Sequence, residues 1–483
     1  MRAPRAAHRP HNPHAPTNLK QPPTSVRPRS TPEVLGGRVR GESRAAHAAF
    51  PEIPMTRFPV TFRCSIVILV ATVSAVMVSK VDADDSSWTR FHGPEGLGYV
   101  AGESLPEAFP SGKPKWRVDL GSTDVGSPVV YGHSVYLLST DSAAKTISLQ
   151  SRDLATGQQN WITRHDQMPS RTHSRNTLGS CTPAVDDQHV YFAYASVEHT
   201  WLICVDHDGN EVWKRDFGSW VSSHGFGTSP RLITQADGTS AVVILLSQQA
   251  AEMDPGQTPG TSNLVAVSST SGETIWNTKL TATRSCYGTP ATFHDGQTQQ
   301  LIGSNTGDGI FGIDSANGKM LWNKKVFDKR CCSTPIVFGD IAIATTGSGG
   351  GGNALVAVRI PKQEGESPQQ IYRIDRNAPY VPTPVLKEGR LFMIDDKGIA
   401  SCVSASDGEV FWKQRIGGNY SASPIVVGDT MITTSLDGTI SLISASERFE
   451  LLGQHSLDAP IAATPAYTQG NLLIRSGQEL YCW

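Results

Sequence analysis

Short apolar runs separated by turn-forming residues dominate the chain from residue 127 onwards. One stretch shows the pattern: residues 129–130, 135–138 and 147–149 are mostly apolar, and Gly132 and Gly157 stand where the chain must reverse. Runs of this length bounded by such turns are typical of β-strands, and helix-period apolar patterns are nearly absent. The pattern predicts an all-β chain. The stretch described here ends near Trp161 and is expected to contribute four short antiparallel strands.

The stretch recurs along the chain. Each of its copies opens with a proline that follows Ser or Thr: Pro128, Pro183, Pro230, Pro290, Pro335, Pro384, Pro424 and Pro465. The spacing of roughly 40 to 60 residues lies in the range of propeller blades. Proline as the first residue of a strand costs no ladder hydrogen bond. We therefore expect one radial array of repeated units and not several unrelated domains.

Tryptophans mark the ends of most units, each four residues after a glycine. The pairs are Gly157 and Trp161, Gly209 and Trp213, Gly272 and Trp276, Gly318 and Trp322, and Gly408 and Trp412. A constant register places the indole on the same face of the last strand each time. There it can pack between adjacent blades, so we interpret these tryptophans as scaffold.

The last unit, which ends at Trp483, is one strand short. Gly112 and Trp116 carry the same register before the first unit begins. We therefore predict that the N-terminal strand completes the last blade, which closes the ring and removes exposed sheet edges. The predicted fold is an all-β, eight-bladed β-propeller closed by N- and C-terminal strands in one blade.

The region before the repeats has a different composition. Residues 1–54 are rich in Arg, His and Pro without periodicity, which predicts a disordered extension or a mis-assigned start. Residues 55–83 place Arg57 and Arg63 before a short apolar run, the order of a signal peptide, with an uncleaved anchor as the alternative. Residues 84–483 are then a periplasmic or secreted propeller with no transmembrane domain after cleavage.

Charge and cysteine content add few constraints. The formal net charge is −2, which gives no indication of nucleic-acid binding. Seven cysteines follow the predicted signal; an odd number cannot all pair internally, and most are expected to be buried in the blades. No metal-ligand spacing, nucleophile elbow or haem motif appears, so no metal site is predicted.

The repeat unit, Ala/Ser-x-Asp/Ser-x-x-Thr/Asn/Ser/Asp-Gly-x-x-x-Trp, resembles the pyrroloquinoline-quinone (PQQ) type. Quinoprotein alcohol dehydrogenases share it with the lipoprotein propeller of the outer-membrane β-barrel assembly machinery. Secreted PQQ-binding-like propellers of the planctomycete type are similar in further segments: 88–94 (Trp-x-x-Phe-x-Gly-Pro), 172–176, 224–230, 347–353 and 378–384. The resemblance covers residues 88–483 and implies the propeller fold. It implies no single activity, because that family has no established common function.

Polar and aromatic residues precede the first strands of several blades, where a closed ring would gather them on one face of the channel. They are His173, Asn176, His224, Arg284, Tyr287, Arg330, Tyr380, Asn419 and Tyr420. Such a set suits a carbohydrate, a peptide or an anion. The alternative is that these side chains satisfy loop backbone groups and contact water.

Adjacent cysteines, Cys331 and Cys332, stand at the start of one such strand. The resemblance to quinoprotein alcohol dehydrogenases implies a vicinal disulfide beside a quinone; the alternative is two ordinary buried thiols. A quinone site also needs Ca²⁺ with oxygen ligands and a base, and no such Glu/Asn/Asp set can be assembled from the sequence. No cofactor is therefore predicted outside this alternative, which uses PQQ with Ca²⁺.

Two functional hypotheses follow from the sequence. The first is an exported, non-catalytic propeller that binds or scaffolds an envelope protein, a peptide or a carbohydrate through its channel face. The second is a PQQ- and Ca-dependent quinoprotein oxidoreductase acting on alcohols or sugars. The sequence favours the first hypothesis but does not decide whether the protein is an enzyme, since fold class alone does not give function.

Overall fold

The computed structural model describes residues 87–167, 170–363 and 365–483. These residues form strands and turns, and none of them belongs to a helix with the length and apolarity that crossing a bilayer requires. The predicted extension (1–54) and signal peptide (55–83) lie outside the described residues.

The repeats form eight separate sheets, one for each predicted blade. Two strands precede them, β1 (Tyr99–Val100) and β2 (Trp116–Asp119). Blades 1 to 4 contain β3 (Val129–Tyr131), β4 (Ser134–Asp141), β5 (Thr146–Asp153) and β6 (Gln159–Asp166); β7 (Ala184–Val185), β8 (His189–Ala195), β9 (Thr200–Asp206) and β10 (Glu211–Asp216); β11 (Arg231–Thr234), β12 (Ser240–Leu246), β13 (Ser262–Ser268) and β14 (Thr274–Leu280); and β15 (Ala291–His294), β16 (Gln299–Asn305), β17 (Gly309–Asp314) and β18 (Met320–Lys324). Blades 5 to 8 contain β19 (Ile336–Phe338), β20 (Ile341–Thr346), β21 (Ala354–Arg359) and β22 (Gln369–Ile374); β23 (Val385–Lys387), β24 (Arg390–Ile394), β25 (Ile399–Ser404) and β26 (Val410–Arg415); β27 (Ile425–Val427), β28 (Thr430–Thr434), β29 (Thr439–Ser444) and β30 (Leu451–Ser456); and β31 (Ala466–Thr468), β32 (Asn471–Ser476) and β33 (Glu479–Cys482). The predicted all-β, eight-bladed propeller is confirmed.

Blade 8 closes the ring as predicted. Strand β2 supplies its fourth strand in antiparallel register, with Trp116 opposite Cys482. Arg475 of β32 adds a second connection to blade 1, because its buried guanidinium donates to the carbonyls of Gly126 (3.3 Å) and Leu138 (2.9 Å). The two ends of the repeat array are therefore joined both by a shared sheet and by buried hydrogen bonds.

The Ser/Thr–Pro steps form a ring of hydroxyl groups around the channel. Six of the eight junctions between blades share one hydrogen bond, in which a backbone N–H of one blade donates to the equivalent hydroxyl in the next. Bonds of this kind join Ser127 to Thr182 (3.1 Å), Thr182 to Ser229 (3.0 Å), Thr334 to Thr383 (3.0 Å), Thr383 to Ser423 (2.9 Å), Ser423 to Thr464 (3.0 Å) and Thr464 to Ser127 (3.0 Å). The last of these crosses the closure point. The following proline has no N–H, so the hydroxyl-bearing residue provides the last backbone donor before each strand.

The blade tryptophans lie at the seams between blades. The indole of Trp213 covers Gly272 of the next blade, where an added Cβ would stand 2.6 Å from the ring, and its Nε1 donates to the Ser269 carbonyl at 2.8 Å. The same seam bond, 2.7 to 2.8 Å long, is made by Trp116, Trp161, Trp276 and Trp412. Glycines lie beneath the rings of Trp116, Trp161, Trp213 and Trp276, and each of these glycines has positive φ. At these four seams both the turn and the overlying ring require the missing side chain.

The seams on either side of blade 5 depart from this arrangement. Trp322 packs with Val356 of blade 5, but its Nε1 donates to Gln300 of its own blade at 2.9 Å. At the next seam Tyr372 takes the tryptophan position. Its ring covers Gly408 and its hydroxyl donates to the Ala405 carbonyl at 3.1 Å. Tyrosine thus preserves both the ring contact and the hydrogen bond.

Residues 88–100, here called the N-terminal segment, run through the channel, which the sequence pattern did not predict. Trp88 is fully buried and bridges to Val130 of blade 1. The Thr89 carbonyl accepts the amide of Val185 in blade 2. At its other end the segment forms β1, which pairs in parallel with β27 of blade 7. The segment therefore crosses from blades 1 and 2 to blade 7 inside the ring.

Candidate functional site

A cavity of about 310 Å³, here called the upper cavity, lies in the channel among the loops that lead into the first strands of the blades. Its wall includes most of the hydroxyl ring, and Phe91 contributes from the N-terminal segment. The charged side chains of this wall are Arg175 and Arg330, and no Asp or Glu of the described residues lines it. Arg175 is paired with Asp396 outside the wall, so the positive charge of the cavity comes from Arg330.

Part of the predicted channel-face set meets at this cavity. Six of the nine predicted residues line it: His173, Asn176, His224, Tyr287, Arg330 and Tyr380. Arg284, Asn419 and Tyr420 do not. Arg284 and Asn419 are exposed outside the wall, and Tyr420 is buried in the apolar core of blades 6 and 7. Tyr380 and Tyr420 both stand four residues before a proline, so the spacing alone could not tell which ring would face the channel.

His224 and Arg330 form the centre of the wall. Arg330 is only 9% exposed, and its guanidinium donates to His224 Nε2 (3.3 Å) and Ser223 Oγ (3.2 Å). The imidazole of His173 stacks on that of His224 with ring centroids 4.8 Å apart. Burial, followed by the charge of Arg330 and by His173, lowers the pKa of His224 to about 4. His224 is therefore neutral at physiological pH and can accept the hydrogen bond from Arg330.

The two tyrosines and Asn176 shape the wall beside this pair. Tyr287 donates its hydroxyl to the Gly225 carbonyl at 3.2 Å, and burial raises its pKa. Burial likewise raises the pKa of Tyr380. Asn176 donates to the carbonyls of His224 (2.7 Å) and Phe226 (3.0 Å). Its amide thus holds two loops together. This is the role expected under the alternative in which these side chains satisfy loop backbone groups.

The adjacent cysteines face different environments. All seven described cysteines are free, so Cys331 and Cys332 form no vicinal disulfide. Cys331 is buried beside Cys286, whose Sγ accepts the Cys331 amide at 3.4 Å. Cys332 lines the upper cavity, and burial raises its pKa to about 12. A thiol with so high a pKa is a poor nucleophile near neutral pH.

An ion pair across the ring was missed at the sequence level. Arg175, from the loop between blades 1 and 2, reaches Asp396 of blade 6 at 3.2 Å and donates to the Tyr420 carbonyl and to Ser421 Oγ. Asp396 also accepts the Tyr380 amide at 2.7 Å. The contact spans 221 positions in sequence. The only signal available beforehand was the position of Arg175 inside the segment 172–176.

A family model described as "Outer membrane protein assembly factor BamB", of the PQQ-repeat type, matches residues 80–215, 260–367 and 375–451. These ranges make up more than half of the chain. The chain belongs to this PQQ-repeat propeller family. No curated protein matches the sequence.

Solved structures resemble this PQQ-repeat propeller in fold. BamB from Moraxella catarrhalis is 13% identical, with a TM-score of 0.52, 77% of this chain covered and 97% of that one. A europium-containing methanol dehydrogenase is 12% identical, with a TM-score of 0.56 and coverages of 81% and 89%. Quinohemoprotein alcohol dehydrogenase from Comamonas testosteroni is 13% identical, with a TM-score of 0.59 and coverages of 83% and 80%. At these identities the similarity establishes the fold and not the activity.

The cavity wall of this propeller does not fit the calcium ion of the quinoprotein alternative. Ca²⁺ takes six to eight oxygen ligands, usually with several carboxylates. The described wall carries two arginines instead, and Asp396 behind it is already held by Arg175 and a backbone amide. Within the described ranges no cluster of three or more His, Cys, Asp or Glu side chains could hold a metal ion.

Proposed function

We propose that the protein is an exported, non-catalytic propeller whose upper cavity binds an acidic carbohydrate of the cell envelope. The observation that supports this most directly is the charge of the wall: no carboxylate is among the described lining residues, and Arg330 has no acidic partner among the described residues, whereas Arg175 is paired with Asp396. Guanidinium groups form strong charge-assisted hydrogen bonds with carboxylates. A carboxylate-bearing ligand would therefore bind to the buried face of Arg330.

The rest of the wall supports a sugar as the bearer of that carboxylate. Hydroxyls such as those of Ser127 and Thr182 accept backbone N–H groups within the ring and keep their own hydrogens for donation. The stacked imidazoles of His173 and His224 and the ring of Phe91 add flat faces. Flat rings with a few convergent polar groups are characteristic of small-molecule sites.

Proton affinities support binding over catalysis. The pKa of His224 is lowered to about 4, that of Cys332 is raised to about 12, and those of both tyrosines are raised. General acid–base catalysis works best with a group whose pKa lies near the operating pH, and none of these shifts brings a group there. Export rests on the signal-like order of residues 55–83 and on the family description.

Titration calorimetry with glucuronate, glucose and an acidic dipeptide tests the proposal. We expect saturable glucuronate binding, at least about tenfold weaker binding of glucose, and a loss of at least about tenfold in Arg330→Met. Arg231→Met, which removes a buried arginine outside this cavity, is the matched control and should bind glucuronate normally. Preference for the dipeptide would contradict the carbohydrate assignment.

The non-catalytic part of the proposal has its own test. The purified protein is mixed with PQQ and Ca²⁺ and examined for bound-cofactor absorbance and for dye reduction with alcohols or sugars. We expect neither signal. Saturable cofactor binding accompanied by turnover would establish the quinoprotein alternative instead.

A further inference from the structure

A second cavity, of about 210 Å³, lies in the channel on the other side of the N-terminal segment and is here called the lower cavity. Phe91 faces the upper cavity, whereas Arg90 and Glu95 line the lower one. The first strands of blades 3 to 5 complete its wall, with Arg231 and Thr292 among the lining residues. Neither the sequence motifs nor the proposed function account for the charged groups gathered here.

Two of those groups are buried arginines from different parts of the chain. Arg90 belongs to the N-terminal segment and is 4% exposed, and Arg231 begins β11 and is 6% exposed. Arg90 donates to the carbonyls of Pro94 (2.8 Å) and Phe91 (3.4 Å). Arg231 donates to the carbonyl of Pro290 (3.2 Å) and to Thr292 Oγ1 (2.8 Å). Both guanidinium groups are thus fixed in position by hydrogen bonds.

Each guanidinium nevertheless keeps a buried N–H group without a partner among the described residues. These are Nη2 of Arg90 and Nε of Arg231. A buried donor left without an acceptor costs about 1–3 kcal/mol, and more when it is charged. Folded proteins rarely retain such groups without water or an ion beside them. Both arginines line the lower cavity, and an acceptor bound there would lie next to them.

The charge balance indicates that the acceptor is an anion. Burial, then the charge of Arg231, lowers the pKa of Arg90, and burial lowers that of Arg231 to about 10, while Glu95 acts in the opposite direction on both. Two cations face one carboxylate, and Glu95 is exposed. The wall thus carries one uncompensated positive charge.

We propose that the lower cavity binds one small oxyanion, such as inorganic phosphate or a short carboxylate, between the guanidinium groups of Arg90 and Arg231. The planar fork of arginine matches both kinds of oxyanion. Because Arg90 lies on the N-terminal segment and Arg231 on blade 3, the bound ion fastens that segment to the ring. This site is independent of the ligand proposed for the upper cavity.

Calorimetric titration with sodium phosphate, at constant ionic strength, tests the site on the whole protein. Sodium acetate should compete with phosphate for the site, and sodium chloride should not. We expect one saturable phosphate site that is lost in Arg231→Met and retained in Arg330→Met, the matched control in the upper cavity. Phosphate should also raise the unfolding temperature of the wild type and of Arg330→Met but not of Arg231→Met. Loss of phosphate binding only in Arg330→Met would overturn the assignment, as would the absence of saturable binding.

A third variant keeps the test valid if Arg231→Met fails to fold. Glu95 is exposed and lines the cavity, so Glu95→Gln removes the competing negative charge with little structural change. We expect it to bind phosphate about three- to tenfold more tightly than the wild type. Unchanged or weaker phosphate affinity in Glu95→Gln would contradict the site, since a wall of two cations must respond to the loss of its carboxylate.

Discussion

The seams between the blades and the channel inside them are built from different kinds of residue. At the seams the same pieces recur, an aromatic ring over a glycine and a ring donor on a carbonyl of the next blade, as in Trp213 with Ser269. In the channel, beyond the hydroxyl ring, the charged side chains follow no such repeat. The three arginines Arg330, Arg231 and Arg175 stand at different positions relative to the proline of their repeat. They are held by unrelated partners. Repeated residues therefore stabilise the ring, and the unrepeated ones give the channel its charge.

The largest expected effect is the loss of one seam ring. Trp213→Ala removes a buried indole and its 2.8 Å bond, and a large-to-small change of this kind costs about 3–5 kcal/mol. Urea unfolding monitored by tryptophan fluorescence measures the loss of unfolding free energy. The matched control is Trp201→Ala in the same blade, where the ring is only half-buried beneath Lys214 and about 1 kcal/mol is expected. Equal losses in both variants would mean that the seams carry no special share of stability.

The second effect concerns the N-terminal segment in the channel. His92 is fully buried, with Nε2 2.8 Å from the Pro424 carbonyl and Nδ1 3.3 Å from the Gly96 carbonyl. Burial lowers the pKa of His92 from 6.5 to about 4. Between these two values the unfolded chain binds the proton and the folded chain does not, so stability is complete above pH 6.5 and falls by about 3 kcal/mol as the pH is lowered to 4.

His92→Asn should therefore show a flatter profile of unfolding free energy against pH than the wild type. Asparagine tolerates the positive φ of 66° at this position. The exposed His133 provides the control, because His133→Asn should leave the wild-type slope unchanged. If His92→Asn keeps the full slope between pH 6.5 and 4, the segment is not fixed in the channel by this histidine.

The third effect tests whether Tyr372 replaces a blade tryptophan at the seam between blades 5 and 6. Tyr372→Phe keeps the ring over Gly408 but loses the 3.1 Å bond to the Ala405 carbonyl, which should cost about 1 kcal/mol. Thermal unfolding compares it with Tyr481→Phe, in which the lost hydroxyl donated to the partly exposed Glu479 and the expected cost is at most about 0.5 kcal/mol. No loss in Tyr372→Phe would show that the tyrosine does not reproduce the tryptophan seam.

The sequence predicts the repeated part of the molecule well, for a physical reason. The four-residue register of Gly157 and Trp161 and the Ser/Thr–Pro spacing are local patterns that recur, so each copy supports the others. The missing last strand is recognised by comparison with these copies. They were enough to predict eight blades and the completion of the last blade by the strand that contains Trp116. The hydrogen-bonded hydroxyl ring was present in the same pattern but could not be deduced, because it joins residues in different blades.

The channel could be predicted only in part, because its contacts join residues that are distant in sequence and occur once. The positions of His224 and Arg330 before first strands were enough to predict that the two residues face the channel. The same criterion failed for Tyr420, whose ring packs into the core. The N-terminal segment has no periodicity to place Arg90 beside Arg231. Similarly, nothing local to Arg175 indicates a partner in blade 6.

The smallest effect on stability is expected at that cross-ring contact, where the comparison between seams and channel is sharpest. Asp396→Asn keeps an acceptor for the Tyr380 amide and loses the charge that holds Arg175. A partly exposed ion pair contributes about 1 kcal/mol or less, so the unfolding temperature should hardly change. The loop that carries Arg175 should nevertheless open more often, since this pair fastens it to the far side of the ring. Trypsin cleavage at Arg175 is expected to become about fivefold faster.

Asp254→Asn is the matched control, because Asp254 pairs with Arg171 of the same loop at 2.7 Å but both side chains are about half exposed. It should leave the cleavage rate unchanged. Equal acceleration in the two variants would mean that any charge lost near this loop loosens it, and the contact across the ring would then have no special role. Acceleration in Asp396→Asn alone would show that an unrepeated ion pair, although it adds little to the free energy of unfolding, holds in place a loop that lines the upper cavity. The repeated contacts at the seams would then determine global stability, and the unrepeated contacts would determine the local order of the channel.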